Sequence, residues 1–129
     1  MYPKELIKGS LQTIILKLLS ENDKMYGYQI TQEIKNLTQG KITITEAAIY
    51  PILHKLKAEG ELSTEKVSLG ERVRIYYSLT PQGNNKAKEK ITQLSEYLQT
   101  MQTLIHSKPG LQTFSSYGIF NQAADWSNS

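Results

Sequence analysis

Between Thr45 and Arg74 the chain carries side chains suited to gripping an anionic polymer rather than to breaking bonds. Thr45 and Tyr50 hold hydroxyls that can donate to phosphate oxygens or base edges, and His54 and Lys55 reach farther. Ala47 and Ala48 are small enough to approach a thymine methyl closely. Arg72 and Arg74 share one face of an alternating segment, and with Lys66 on the preceding segment they are candidates for phosphate or minor-groove contact. Tyr26 stands where a helix is expected to begin, and helix amino termini commonly meet phosphates. Tyr28 is expected in the core. Glu46 has the acceptor a cytosine amino group needs, but stabilising the positive end of its own helix is the more economical account.

Catalytic chemistry is poorly served. His54 and His106 fall in different elements, and neither has a carboxylate at a metal-ligand spacing. There is no glycine-rich phosphate loop and no serine in a nucleophile elbow. The absence of cysteine excludes disulfides, thiolate metal sites and thiol nucleophiles. A non-enzymatic chain without metal or cofactor is the expectation.

The elements that would position these groups follow from periodicity. Leu6, Ile7, Leu11, Ile14, Ile15, Leu18 and Leu19 predict a helix over residues 4–20, with Gly9 a weak point costing about 1 kcal/mol relative to alanine. A second helix is predicted from about Tyr26 to Leu37, with Ile30, Ile34 and Leu37 on one face. The short β-branched stretch KITIT at 41–45 follows. Thr45 then caps a third helix in which Ile49, Ile52, Leu53 and Leu56 fall within a sector of about 100°. Ala47, Pro51, His54 and Ala58 lie opposite. Pro51 costs about 3 kcal/mol inside a helix, so a start nearer Ala48 or a kink is expected.

Strands are predicted over residues 62–67 and 72–79, joined by Ser68-Leu69-Gly70-Glu71. In the second, Val73, Ile75, Tyr77 and Leu79 form a packed face, and Arg72, Arg74, Tyr76 and Ser78 a wet one. Thr80-Pro81 is a helix start. Beyond it Ala87, Ile91, Leu94, Leu98, Met101 and Ile105 repeat at heptad spacing, a narrow seam that calls for a partner helix. With Leu6 and Ile7, the residues from Ile91 to Ile105 are the candidates for an interface between two copies.

The order of elements, a capped helix followed by a basic hairpin, is that of a winged helix-turn-helix: mainly α with a small β-hairpin, plus a C-terminal dimerisation helix. It implies a DNA-binding domain over 1–80, the dimerisation helix at 81–106 and a tail at 107–129. The tail is polar yet holds Phe114, Tyr117, Phe120 and Trp126; it is expected to be mobile, with the aromatics leaving room for docking on the dimer or on a partner. At 39% apolar and 21% charged, the 129 residues suit one domain with an appendage. No apolar run approaches the roughly 18 residues of a membrane span, and the start lacks a signal-peptide pattern, so a cytoplasmic location is expected. A formal charge of +3 permits nucleic acid without demanding it. Lys41, Lys55, Lys57, Lys66, Arg72 and Arg74 are nearly offset by Glu46, Glu59, Glu61, Glu65 and Glu71.

LIKGSLQTIILKLL at 6–19, MYGYQITQEI at 25–34, TEAAIYPILHKLKAEGEL at 45–62 and RVRIYYSLTPQG at 72–83 together resemble the PadR-like transcriptional regulators. The Gly27-Tyr28 pair, the Tyr50-Pro51 step and the run from Tyr76 to Thr80 carry that resemblance jointly. It makes Pro51 an expected oddity. It implies a homodimer on a palindromic double-stranded DNA operator, usually repressing and released by an effector, with no membrane partner. Some short members bind flat aromatic drugs through a tryptophan on the C-terminal helix; here the only tryptophan, Trp126, lies in the tail. The rival reading is a winged helix kept as a protein-interaction module, supported by the near-neutral charge from Lys41 to Leu79.

Overall fold

The computed structural model describes residues 2–108. In chain order these form α1 (Lys4–Lys8), α2 (Leu11–Glu21), β1 (Met25–Tyr26), α3 (Gly27–Leu37), α4 (Glu46–Ala58), β2 (Leu62–Leu69), β3 (Arg72–Leu79) and α5 (Pro81–His106). The strands make one antiparallel sheet in the order β1-β3-β2. None of the described helices is long and apolar enough to cross a membrane.

The single helix expected over 4–20 is two. The chain breaks at Gly9-Ser10, where the Ser10 hydroxyl and N–H both donate to the Ile7 carbonyl, at 3.1 and 3.0 Å. The Ser10 carbonyl then accepts from Ile14 N to open α2. The expected stripe survives only in the second piece: Leu11, Ile15, Leu16, Leu18 and Leu19 are buried, while Leu6 is 67% exposed.

Those α2 residues meet Ile30 and Ile34 of α3 and Ile49, Leu53 and Leu56 of α4; Met25, Leu62, Tyr77 and Ala87 complete the core. This packing settles the question of Pro51. α4 runs unbroken from Glu46 with Pro51 inside it. The proline costs about 3 kcal/mol, whereas fully burying Ile49, Leu53 and Leu56 gains about 2 kcal/mol each. Ala47 and Pro51 are both exposed, so water can reach the carbonyl that the missing N–H leaves free.

KITIT forms no strand. Thr38 Oγ1 donates to the Ile34 carbonyl at 2.8 Å and accepts from Ile42 N at 3.1 Å, and positive φ at Gln39 and Gly40 turns the chain. Ile42 and Ile44 pack against the core instead of pairing with a neighbour. β1 was not foreseen: Met25 pairs with Tyr77 and Tyr26 with Tyr76. The hairpin is longer than expected, since β2 reaches Leu69 and the turn is only Gly70-Glu71, with Gly70 at φ 66°.

The packed face of β3 also stops earlier than alternation predicts. Tyr77 is buried and Leu79 half-buried, but Val73 is 61% and Ile75 39% exposed. Alternation tells which residues share a face; it does not tell how far the helices cover it.

The join between α4, β2 and α5 is tight. Thr80 Oγ1 accepts from Gly83 N at 3.0 Å, the expected helix cap, and donates to the Gly60 carbonyl at 2.7 Å. Gln82 Nε2 donates to the Glu59 carbonyl, and Thr80 N to that of Glu61. Two compact units are distinguished, Met1–Ser95 and Glu96–Ser129, with the boundary inside α5. In the first, Ala87 is buried and Ile91 packs on the core. In the described part of the second, Tyr97, Leu98, Leu104 and Ile105 are each more than half exposed, and Met101 is half-buried. From position 109 the aromatic tail lies outside the described residues.

Candidate nucleic-acid interface

Thr45 has extended backbone and its hydroxyl accepts from Ala48 N at 3.2 Å, which fixes where α4 begins. From that start the core sector turns inward, and Ala47, Ala48, Tyr50, Pro51, His54 and Lys55 all come out exposed. The expected outward face of the helix is therefore the observed one. Beside it, β1 ends after two residues because α3 starts at Gly27, so among the described residues β3 has no neighbour on that side over Arg72–Ile75.

An open groove of about 540 Å³ occupies this space, lined by Tyr26, Tyr28, Glu46, Tyr50, Leu69, Arg72, Val73, Arg74 and Ile75. Of the candidate contacts, it gathers Tyr26, Tyr50, Arg72 and Arg74. Thr45, Ala47, Ala48, His54 and Lys55 stand outside it on or at the start of α4. Lys66 is paired with Ile75 and so belongs to the opposite face of the hairpin from Arg72 and Arg74. The structure does not bring those three cations together.

Tyr28 corrects an expectation: it is 52% exposed and lines the groove instead of the core. Two residues before buried Ile30, it stands about 200° around the helix from it, which turns it outward. Glu46 likewise has a local partner, accepting from Tyr50 Oη at 3.2 Å. Burial first, then the Glu46 charge and this hydrogen bond, push the Tyr50 phenol above its ordinary pKa. Tyr50 also lies against Gly27, and its ring centroid is 6.0 Å from that of His54.

On the groove's wing side, aromatic rings and cations alternate. Arg74 Cζ sits 4.0 Å from the Tyr26 ring centroid, Tyr26 meets Tyr76 edge-on at 5.4 Å and 77°, and Lys24 Nζ lies 5.0 Å from the Tyr76 ring. Arg74 Nη1 donates to Tyr76 Oη at 3.5 Å, which raises the arginine pKa further and keeps it charged. Lys24 also pairs with Glu65 at 3.1 Å, an exposed contact that adds little stability. No sequence signal marked Lys24 or Glu65, because the strand pairing that unites them with Tyr76 joins distant parts of the chain. Among the described residues, no group of three or more His, Asp and Glu is placed to hold a metal ion.

Of the interface candidates, Leu6, Leu98 and Ile105 are exposed; Ile7, Ile91, Leu94 and Met101 are half-buried. Ile91 packs within its own chain.

Comparison with known proteins bears on the whole arrangement. The chain is 35% identical over 98 residues to uncharacterised protein X of Lysinibacillus sphaericus, covering 74% of this chain and 88% of that protein. It is 37% identical over 86 residues to the transcriptional regulator YqjI of Escherichia coli, covering 67% of this chain but only 40% of that longer protein. Among solved structures, a transcriptional regulator from Clostridium thermocellum superposes with a TM-score of 0.72 at 28% identity, over 81% of this chain and 99% of that one. The family model of the PadR-like transcriptional regulators matches residues 15–89, from the middle of α2 through the sheet and into α5. With that match spanning more than half of its length, the chain belongs to the PadR-like family of transcriptional regulators.

Proposed function

We propose that this regulator acts as a cytoplasmic homodimer that binds a palindromic DNA operator and represses, until an effector releases it. The observation that carries this reading is the juxtaposition of the outward face of α4 with the arginine-bearing edge of β3. α4 offers Ala47, Ala48, His54 and Lys55 to the major groove, and Arg72 and Arg74 take the flanking phosphates. Thr45, Tyr26 and Tyr50 border the same surface, and Lys66 serves the far side of the wing.

Self-association is supported by Tyr97, Leu98, Leu104 and Ile105, large apolar side chains left open on α5. Leu6, Ile7, Ile91, Leu94 and Met101 are the further members of that proposed interface. In the bound state the two α4 helices are about 34 Å apart, one DNA turn. An effector that changes the angle between subunits changes that spacing. We divide the chain accordingly into a DNA-binding region (1–80), a dimerisation helix (81–106) and a tail (107–129).

The test is selection of bound fragments from the source genome at two salt concentrations, with sedimentation to read the oligomeric state. Recovery of one palindromic site by a dimer is expected. Replacing Arg72 and Arg74 with alanine then weakens binding across sequences and flattens the salt dependence. A second reading has its own observation: Val73 and Ile75 are exposed apolar residues on one face of the wing. A protein-interaction module would select no site, and its partner binding would fall on Val73→Asp while Arg72→Ala left it intact.

A further inference from the structure

We propose that Tyr26 is a positioning residue for Arg74, its ring holding the guanidinium so that the free N–H groups meet a backbone phosphate of bound DNA. The proposal rests on the DNA-binding reading above and replaces a direct contact by the Tyr26 hydroxyl.

The geometry is that of a cation over an aromatic ring. At 4.0 Å from the ring centroid, Arg74 Cζ is well inside the roughly 6 Å reach of a cation–π contact. The ring itself is anchored. Tyr26 is paired with Tyr76 in the sheet, and the two rings meet edge to face at 5.4 Å. β1 consists of Met25 and Tyr26 alone: Met25 goes into the core and Tyr26 carries Arg74.

The guanidinium carries its donors in its own plane, and the contact of Cζ with the ring does not consume them. Among the described residues the guanidinium donates one hydrogen bond, the long one to Tyr76 Oη, and meets no carboxylate. Its other N–H groups are therefore open for a bidentate phosphate contact. Holding them before DNA arrives spares rotamer freedom that a long side chain would otherwise lose on binding.

Operator affinity of the full-length protein is measured at two salt concentrations, with melting temperature recorded for each variant. Tyr26→Phe keeps the ring and is expected to bind within about twofold of the parent, because the hydroxyl is not used. Tyr26→Leu is expected to lose about fivefold. Arg74→Ala is expected to lose at least as much and to reduce the salt slope by about one. The double variant Tyr26→Leu/Arg74→Ala should bind no more weakly than Arg74→Ala alone.

Equal losses for Tyr26→Phe and Tyr26→Leu, an unaffected Tyr26→Leu, or full additivity with Arg74→Ala would each overturn the proposal. Should Tyr26→Leu fail to fold, nuclear magnetic resonance of the Arg74 Nε–Hε group in the parent without DNA decides the matter. An ordered group supports positioning and a freely rotating one refutes it. If the parent selects no operator, the DNA-binding reading falls and this proposal with it. An intact parent complex with any overturning pattern removes this proposal alone.

Discussion

The phenol of Tyr50 rests on the main chain of Gly27, so closely that a Cβ at position 27 would lie 3.0 Å from Tyr50 Oη and 3.1 Å from Cζ. α3 and α4 thus approach each other through a missing side chain. Gly27→Ala removes that room. Alanine gains at most about 1 kcal/mol in helix propensity, while crowding a packed contact costs about 1–3 kcal/mol. A net loss of about 1 kcal/mol is expected, read as a lower urea midpoint. In a Tyr50→Ala background the same substitution should become neutral or stabilising, because the crowded partner has gone.

Gly83→Ala should be far more damaging. Its Cβ would fall 2.0 Å from the Glu61 carbonyl oxygen, a main-chain atom that cannot rotate away. About 3 kcal/mol of lost stability is expected, seen as a fall of about 10 °C in the melting temperature. Gly9→Ala is the internal control. Among the described residues nothing lies within 4 Å of a Cβ there, and the backbone is already helical, so it should stabilise by about 0.5 kcal/mol.

Thr45→Ala removes the acceptor for Ala48 N and should cost about 1 kcal/mol of stability. Thr45→Ser should recover most of it, since the hydroxyl returns. Chemical denaturation of the three proteins checks the order.

Alkaline pH should weaken the fold. Burial raises the Tyr77 phenol, and burial together with Glu46 raises Tyr50. Above pH 10 the unfolded chain therefore gives up phenolic protons that the folded chain still holds, so stability falls as pH rises from about 10 towards the raised values. Tyr77→Phe should flatten that decline, which stability measurements at pH 9, 10 and 11 will show.

Much of this fold can be read from residues whose signals are local. Thr45, with Ile49, Leu53 and Leu56 after it, announces α4, and Thr80-Pro81 announces α5, because caps and helical periods are written within a few positions. The winged helix-turn-helix follows from their order. β1 has no such signal: two residues show no period, and Met25-Tyr26 becomes a strand only because Tyr76 and Tyr77 come to lie beside it. The groove inherits that difficulty. Tyr26, Tyr50, Arg72 and Arg74 were named from their chemistry, but nothing in the sequence said that β1 would stop where it does. Tyr28, expected in the core, is exposed, and its angle of about 200° from buried Ile30 is the local signal for that. The break at Gly9-Ser10 was hidden by apolar residues that continue the helical spacing across it.

The stretch of β3 from Arg72 to Ile75 that β1 leaves without a neighbour has a consequence for life in a crowded solution. Unpaired main-chain groups beside exposed Val73 and Ile75 are a template on which another copy's strand could zip up and begin an aggregate. Two like charges spaced along that strip oppose such pairing, since a second hairpin would bring its own arginines against them. Replacing both Arg72 and Arg74 with alanine is therefore expected to lower solubility even where no nucleic acid is present, which light scattering on concentrating the two proteins would show.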